Sequence, residues 1–218
     1  MKALLFKERR LASSPLSWIF VAFSAMTLLP GYPILTGALF VCLGMFYSVH
    51  GARESNDIPY SLLLPVEKKD IVRVKFIYCR RIEAAAFCLM AALTALRLTL
   101  LRNFPPYLTN VLMPANPVYL AFVLLIFAAF HLFFLAGFFK TCKAVGRPFL
   151  RFLIASVILI AAGETLHHLP RLQILSDTGL RPLLVQSAVL AVAMAVYALV
   201  SFLAQRASIR RFEAINFY

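Results

Sequence analysis

The run from Val118 to Phe139 contains no Asp, Glu, Lys or Arg. A stretch so long and so apolar suits a lipid-exposed or deeply buried helix far better than any soluble surface element. Five more apolar runs share the chain, at about Pro15 to Leu29, Pro33 to Val49, Ile82 to Leu101, Phe149 to Gly163 and Pro182 to Ala204. Together they make 62% of the 218 residues hydrophobic and leave 14% charged, where soluble domains carry about 25% charged residues. The expectation is an all-α integral membrane protein, one domain over 1–218 with six transmembrane helices and no separate soluble domain.

The net charge of +13 would suggest nucleic acid in a soluble protein, but its distribution follows topology instead. Four Lys and Arg precede the first run, seven lie from Arg53 to Arg81, four from Lys140 to Arg151 and three after Ala204. The remaining four, Arg97, Arg102, Arg171 and Arg181, fall in the alternate segments. The positive-inside rule therefore places both termini in the cytoplasm and gives no reason to expect a nucleic-acid partner. Cys42, Cys79, Cys88 and Cys142 show no CxxC spacing, so neither a disulfide framework nor a zinc site is indicated. The basic start followed by an apolar run imitates a secretory signal, but five further runs follow and it reads as a retained first span.

The loops carry the remaining information. Lys2 to Ala12 mixes basic and apolar residues, which fits either a helix lying in the inner interface or a basic flank that orients the first span. Pro30-Gly31-Tyr32-Pro33 predicts a tight turn between spans one and two. The polar segment 50–81 then lies in the cytoplasm. Within it Val66, Ile71, Val74 and Ile77 interleave with Lys68, Lys69, Arg73 and Lys75 in a broadly helical pattern that begins at Pro65. Such a helix can dock an apolar ridge into a partner's groove, and a solvated loop is the alternative. Arg102 to Pro117 reads as an outer loop against the membrane surface.

No glycine in the chain is followed by Lys, so a phosphate-cradling loop is missing and ATP and Mg, if used, belong to another polypeptide. HExxH and GxSxG are also missing, which leaves no catalytic residue to nominate and no cofactor in this chain. Glu164, His167 and His168 share a helix face and offer metal-ligand types; a hydrogen-bonded cap at the mouth of a span is the favoured alternative. His131 sits at the centre of the fourth run among Phe127, Phe130 and Phe134. An ionisable residue at that depth is a functional candidate, either on a path for an apolar substrate or bonded to a neighbouring span. Arg97 is expected to snorkel to the headgroups. Glu54 and Asp57 after the second run, and Glu83 amid Arg80 and Arg81, are expected to form ion pairs at the inner interface, with pairing to a partner protein as the alternative.

Two segments after the second run, Arg53-Glu54-Ser55-Asn56-Asp57-Ile58 and Leu63-Leu64-Pro65-Val66-Glu67-Lys68-Lys69-Asp70-Ile71-Val72, resemble the permease subunits of type-2 ABC transporters, specifically the small six-span bacterial group that works with a separate ATPase. The Pro30 to Pro33 turn, Ile82-Glu83 and Arg211-Phe212-Glu213 are also similar to that family. The resemblance implies a short cytosolic coupling helix within Leu64 to Lys75, seated in a cleft of a cytosolic ABC ATPase. Coupling would then involve Glu54, Asp57, Leu64, Pro65, Val66, Glu67, Lys68, Lys69, Asp70, Ile71, Arg73 and Lys75. It implies a second permease copy or paralogue, membrane lipid around the spans, a place in the bacterial cytoplasmic membrane, and export of an apolar or amphipathic substrate such as a peptide. A membrane-embedded metalloenzyme and a non-transporting scaffold are the alternatives from other classes.

Overall fold

The computed structural model describes residues 2–8, 10, 15–108, 112–166, 168–169, 174–175 and 180–215, and among these no strand occurs. The elements are α1 (Lys2–Lys7), α2 (Pro15–Val21) continued by a 3-10 turn (Ala22–Leu28), α3 (Thr36–Glu54), α4 (Asp57–Leu62) and α5 (Lys68–Thr99). After them come α6 (Pro105–Leu108), α7 (Pro117–Ala129), a π-helical segment (Phe130–Leu135), α8 (Ala136–Phe138), α9 (Gly146–Leu166) and α10 (Leu180–Glu213).

Among the described residues four helices are long and apolar enough to cross a membrane: Lys68–Thr99, Pro117–Phe138, Gly146–Leu166 and Pro182–Glu213. The apolar helix Pro15–Leu28 is shorter. Its second half is wound as 3-10, which rises about 2.0 Å per residue where an α-helix rises about 1.5 Å. The 3-10 winding therefore lengthens the element to roughly 25 Å, close to the ~30 Å of a hydrocarbon core. The turn at residues 30–33 forms as expected, with Gly31 at φ +72°, a left-handed conformation that glycine adopts freely. The Pro33 carbonyl then accepts the Thr36 amide at 3.1 Å and the Thr36 hydroxyl at 2.6 Å, which starts α3.

Small residues bring α2 and α3 together. A Cβ on Gly44 would lie 2.6 Å from Phe20 Cβ, and one on Gly37 would lie 2.8 Å from the Phe23 carbonyl oxygen. Ser17 Oγ uses this closeness to donate to the Gly44 carbonyl at 2.8 Å, with Ser48 Oγ 2.6 Å away. Such small-residue contacts replace the hydrophobic drive that lipid removes. At the other end of the molecule Asn116 caps α7, accepting the Tyr119 amide at 2.9 Å with Pro117 next in line.

The helix formed by α7 and its continuation is the centre of the molecule. Of its membrane-length window 78% is buried, against 33% for α5, 17% for α9 and 11% for α10. The last two therefore face outward with apolar side chains such as Ile158, Leu184 and Val192. One end of the bundle gathers α1, α4, the start of α5 and the finish of α10: Lys7 pairs with Asp57, and Lys68 Nζ donates to the Ile215 carbonyl at 2.9 Å. The opposite end gathers Arg97, Thr27, Leu28 and Tyr107.

The coupling region differs from the expected short helix within Leu64 to Lys75. Residues 63–67 are not helical, and Lys68 to Lys75 form the first two turns of the 32-residue α5, continuous with the apolar part of that helix. The separate short helix is α4, upstream, released from α3 by Asn56 in the left-handed conformation at φ 52°.

Candidate functional site

At the charged end, α4 and α5 are locked together by a buried set of ions. Lys75 is 3% exposed, and its Nζ donates to Glu8 Oε1 at 2.6 Å and to Asp57 Oδ2 at 3.1 Å. Lys7 adds a second cation, bonded to Asp57 and to Ser61 Oγ, and Ser61 in turn donates to the Asp57 carbonyl at 2.6 Å. Burial alone would raise the Asp57 carboxyl. The charges of Lys75 and Lys7, with their hydrogen bonds, outweigh it and hold the group below the usual carboxylate range. Lys7 is therefore part of this lock rather than lying free among headgroups.

Braced in this way, α4 presents an outward ridge. Tyr60 is 55% exposed and Leu63 83%. On one side lies a groove of about 730 Å³ lined by Ser55, Tyr60, Leu63, Val66 and Lys68, among others. On the other lies one of about 480 Å³ that includes Arg53, Glu54, Ile58 and Lys143.

The expected coupling residues divide into two groups. Asp57, Ile71 and Lys75 are buried and serve the packing. Leu64 and Val66 are half-buried, and Pro65 is exposed. Glu54 lies at the surface, 3.3 Å from Arg53; Glu67 pairs with Lys69, and Asp70 with Arg73 at 3.2 Å. Lys68 reaches the end of α10.

Five residues beyond Lys75, about 7.5 Å along α5, a second buried polar cluster begins. Arg80 Nε donates to Ser201 Oγ at 2.8 Å, and its Nη2 donates to the Ser201 carbonyl at 3.1 Å. Arginine can only donate, so Ser201 accepts there and its own hydroxyl proton is free to turn to His131 Nδ1, 2.6 Å away. His131 Nε2, on the other side of the ring, lies 3.1 Å from Glu83 Oε1. Tyr197 donates to the other carboxylate oxygen, Oε2, at 2.6 Å. A row of polar contacts thus runs from Arg80 through Ser201 and His131 to the edge of Glu83, with Tyr197 closing the far side.

This cluster joins three helices. His131 lies in the π segment, Ser201 and Tyr197 on α10, and Arg80 and Glu83 on α5. Although close in distance, His131 Nε2 and Glu83 Oε1 miss hydrogen-bond geometry, so both atoms are buried without a hydrogen-bond partner. Unsatisfied buried polar atoms are costly, and π segments inside α-helices occur mostly at functional positions. The two coincide at His131. Glu83 faces inward to His131 and Tyr197, a different arrangement from the expected ion pairs, while Arg80 turns to Ser201.

Phe127, Phe130, His131 and Phe134, the residues expected on a substrate path, are all 0% exposed. Phe130 packs edge-on to Phe152, Phe134 meets Phe46 and Phe149, and His131 meets Phe76. They fill the centre of the bundle, so a route along them requires α7 to part from its neighbours. Arg97 does not snorkel to solvent: it is 7% exposed and donates to the Thr27 carbonyl at 2.7 Å. Glu164 Oε2 accepts the Met113 amide at 2.9 Å. Among the described residues no group of three His, Cys, Asp or Glu is placed to hold a metal; His167 lies outside them.

The sequence reading missed Glu8, Ser61, Tyr197 and Ser201. Single Ser and Tyr residues in apolar runs carry no spacing signal, and only the tertiary fold puts them beside a charge. Comparison with curated proteins and with solved structures gives no match. A family model described as ABC-2 family transporter protein matches residues 3–207. That match covers the lock, the ridge beside it and the buried cluster of α5, α7 and α10. The chain therefore belongs to the ABC-2 family, whose members are membrane components of ABC transporters that work with an ATPase partner.

Proposed function

We propose that this chain is the permease subunit of an ATP-driven exporter of the bacterial cytoplasmic membrane, with both termini and segment 50–81 on the cytoplasmic side. Six crossings are the reading that the four long helices, α3 and the stretched Pro15–Leu28 helix support together. The convergence of α1, α4 and the end of α10 at one pole supports a shared side for the termini, and the Lys and Arg excess there supports the cytoplasm.

The observation that carries the mechanism is the continuity of α5. The helix begins beside the exposed ridge Tyr60 to Lys69, is clamped at Lys75, and reaches Glu83 without a break. A separate ABC ATPase, which binds the ATP and Mg, docks on α4, the 63–67 turn and the first residues of α5. Closure of the ATPase shifts α4, and the lock passes that shift to α5. Glu83 then moves against His131 and Ser201, which changes the packing of α7 against α10. Two permeases, identical or paralogous, enclose the path of an apolar or amphipathic substrate such as a peptide; the catalytic chemistry stays in the ATPase.

The test is co-purification from gently solubilised membranes, followed by ATP hydrolysis of what is recovered. Reversing the charges of Lys68, Lys69 and Asp70 is expected to remove ATPase stimulation while leaving membrane insertion intact. Full stimulation in that variant would defeat the coupling mechanism. A partner that binds with unchanged ATP turnover would point instead to a scaffold.

A further inference from the structure

At the pole opposite the proposed ATPase contact, a cleft of about 100 Å³ is lined by Arg97, Leu98, Leu101, Arg102, Tyr107, Pro114 and Ala115. Two of these are cations and none is an acid. Arg97 is the unusual one, because it is buried at 7% exposure and among the described residues forms no ion pair. The described residues accept one of its five N–H donors, through the Thr27 carbonyl at 2.7 Å. The guanidinium also lies over the Tyr107 ring, 4.2 Å from its centroid.

Those contacts orient Arg97 without neutralising it. The Tyr107 hydroxyl donates to the Leu28 carbonyl at 2.8 Å, fixing the ring on which the guanidinium rests. Thr27 is fixed in turn by its hydroxyl contact with Tyr119, at 2.9 Å. The end of α5 offers a partial negative charge of about −0.5, half of what a buried guanidinium requires. A buried charge is normally paired, and here no described residue supplies the counter-charge while a cleft adjoins the cation. The cleft has space for several water molecules, and so for one small oxyanion. A planar, forked guanidinium is the donor best matched to carboxylate and phosphate oxygens. Arg102 adds a second cation, and Leu98, Leu101, Pro114 and Ala115 give the cleft an apolar wall.

We infer that this cleft binds a phosphate-type oxyanion held between Arg97 and Arg102, carried on the headgroup of a neighbouring phospholipid or present as free phosphate. The apolar wall beside the cations and the fully exposed flank at Leu100, 79% accessible, suit a headgroup whose chains lie along α5. The site is independent of the ATPase contact, and its failure would leave the coupling mechanism untouched.

The test uses the purified full-length chain in two arms. In one, phospholipid-free detergent solution is titrated with inorganic phosphate while thermal unfolding is followed. In the other, the chain is incubated with phosphatidylglycerol micelles and the retained lipid is counted by native mass spectrometry. The wild type is expected to bind in at least one arm, and Arg102→Gln to bind at least about 10-fold more weakly, as loss of a charge-assisted contact implies. Arg97→Gln is expected to lose binding altogether. Response to inorganic phosphate identifies a free ion as sufficient; response to phosphatidylglycerol alone identifies the headgroup. Arg102 is exposed, so its variant folds even if the Arg97 variant does not. Equal behaviour of the wild type and Arg102→Gln in both arms would overturn the inference.

Discussion

The imidazole of His131 places Nε2 3.1 Å from Oε1 of Glu83, and both atoms lack a hydrogen-bond partner although both are buried. The pair is held by its other contacts, Ser201 on one side and Tyr197 on the other. Its cost is accepted at the point where α5, α7 and α10 meet.

Removing one partner should therefore be worse than removing the charge. His131→Leu leaves the Glu83 carboxylate with Tyr197 alone and is expected to cost about 3–5 kcal/mol, the usual penalty for orphaning a buried charge. Glu83→Gln keeps the shape and a hydrogen-bond acceptor for Tyr197, and is expected to cost less than about 1.5 kcal/mol. Thermal unfolding of the two variants in detergent decides it; the reverse order would show that Glu83 is not held as described.

The lock at the other cluster is open to a double-mutant cycle. Lys75→Met strands Glu8 and takes one of its two cations from Asp57, and is expected to destabilise by roughly 3–5 kcal/mol. Adding Glu8→Gln to Lys75→Met should recover at least about 1 kcal/mol, because the stranded charge is gone. Strict additivity of the two changes would show that Lys75 and Glu8 do not interact.

Acid should loosen the same lock, and the sign is set by Asp57. Its carboxyl is held below its ordinary value of about 3.9, so its contribution is fully present above that pH. It is lost as pH falls through the lower value of the folded state. Proteolytic release of the α1 segment should therefore stay constant from pH 8 to about pH 5 and rise only below about pH 4. A rise near neutral pH would assign the lock to another group.

The ridge can be tested without disturbing the fold. Leu63 is 83% exposed, so Leu63→Asp should leave expression and thermal stability within about 0.5 kcal/mol of the wild type. If α4 and its turn are the ATPase contact, the same change should weaken ATPase association about 10-fold or more, since anchors in such interfaces are worth about 1–2 kcal/mol or more. Unchanged affinity would move the contact elsewhere.

Gly44→Ala tests the approach of α2 to α3. The new Cβ would lie 2.6 Å from Phe20 Cβ, and overpacking of this kind costs about 1–3 kcal/mol. Gly51→Ala is the control, having open space at that position and a more favourable helix propensity by up to about 1 kcal/mol; a gain of the same size at Gly44 would show that α2 does not approach α3 so closely.

The apolar runs made the membrane helices legible, and the left-handed turn at Gly31 was legible in its Pro-Gly-Tyr-Pro spelling. The true length of α5 was hidden. Lys75 read as part of a short separate helix and Arg80 and Glu83 as charges at the inner end of a span, because the partners of Lys75 and Arg80 come from Glu8, 67 residues earlier, and from Ser201, 121 residues later. A hydropathy window counts such residues as charges, whereas in the fold they are paired. The same long-range pairing explains why His131 stood out from the sequence while Ser201 and Tyr197 did not. Asn56, whose left-handed backbone divides the charged segment after α3, puts a short helix upstream of the expected one.

An unbroken α5 also sets a ratio between cause and displacement. From Lys75 to Arg97 the helix extends roughly 33 Å. Pivoting it by about 5° at the lock would carry Arg97 through about 3 Å, comparable to its hydrogen-bond distance to Thr27. Small motion at one membrane face would thus be magnified into making or breaking a polar contact at the other.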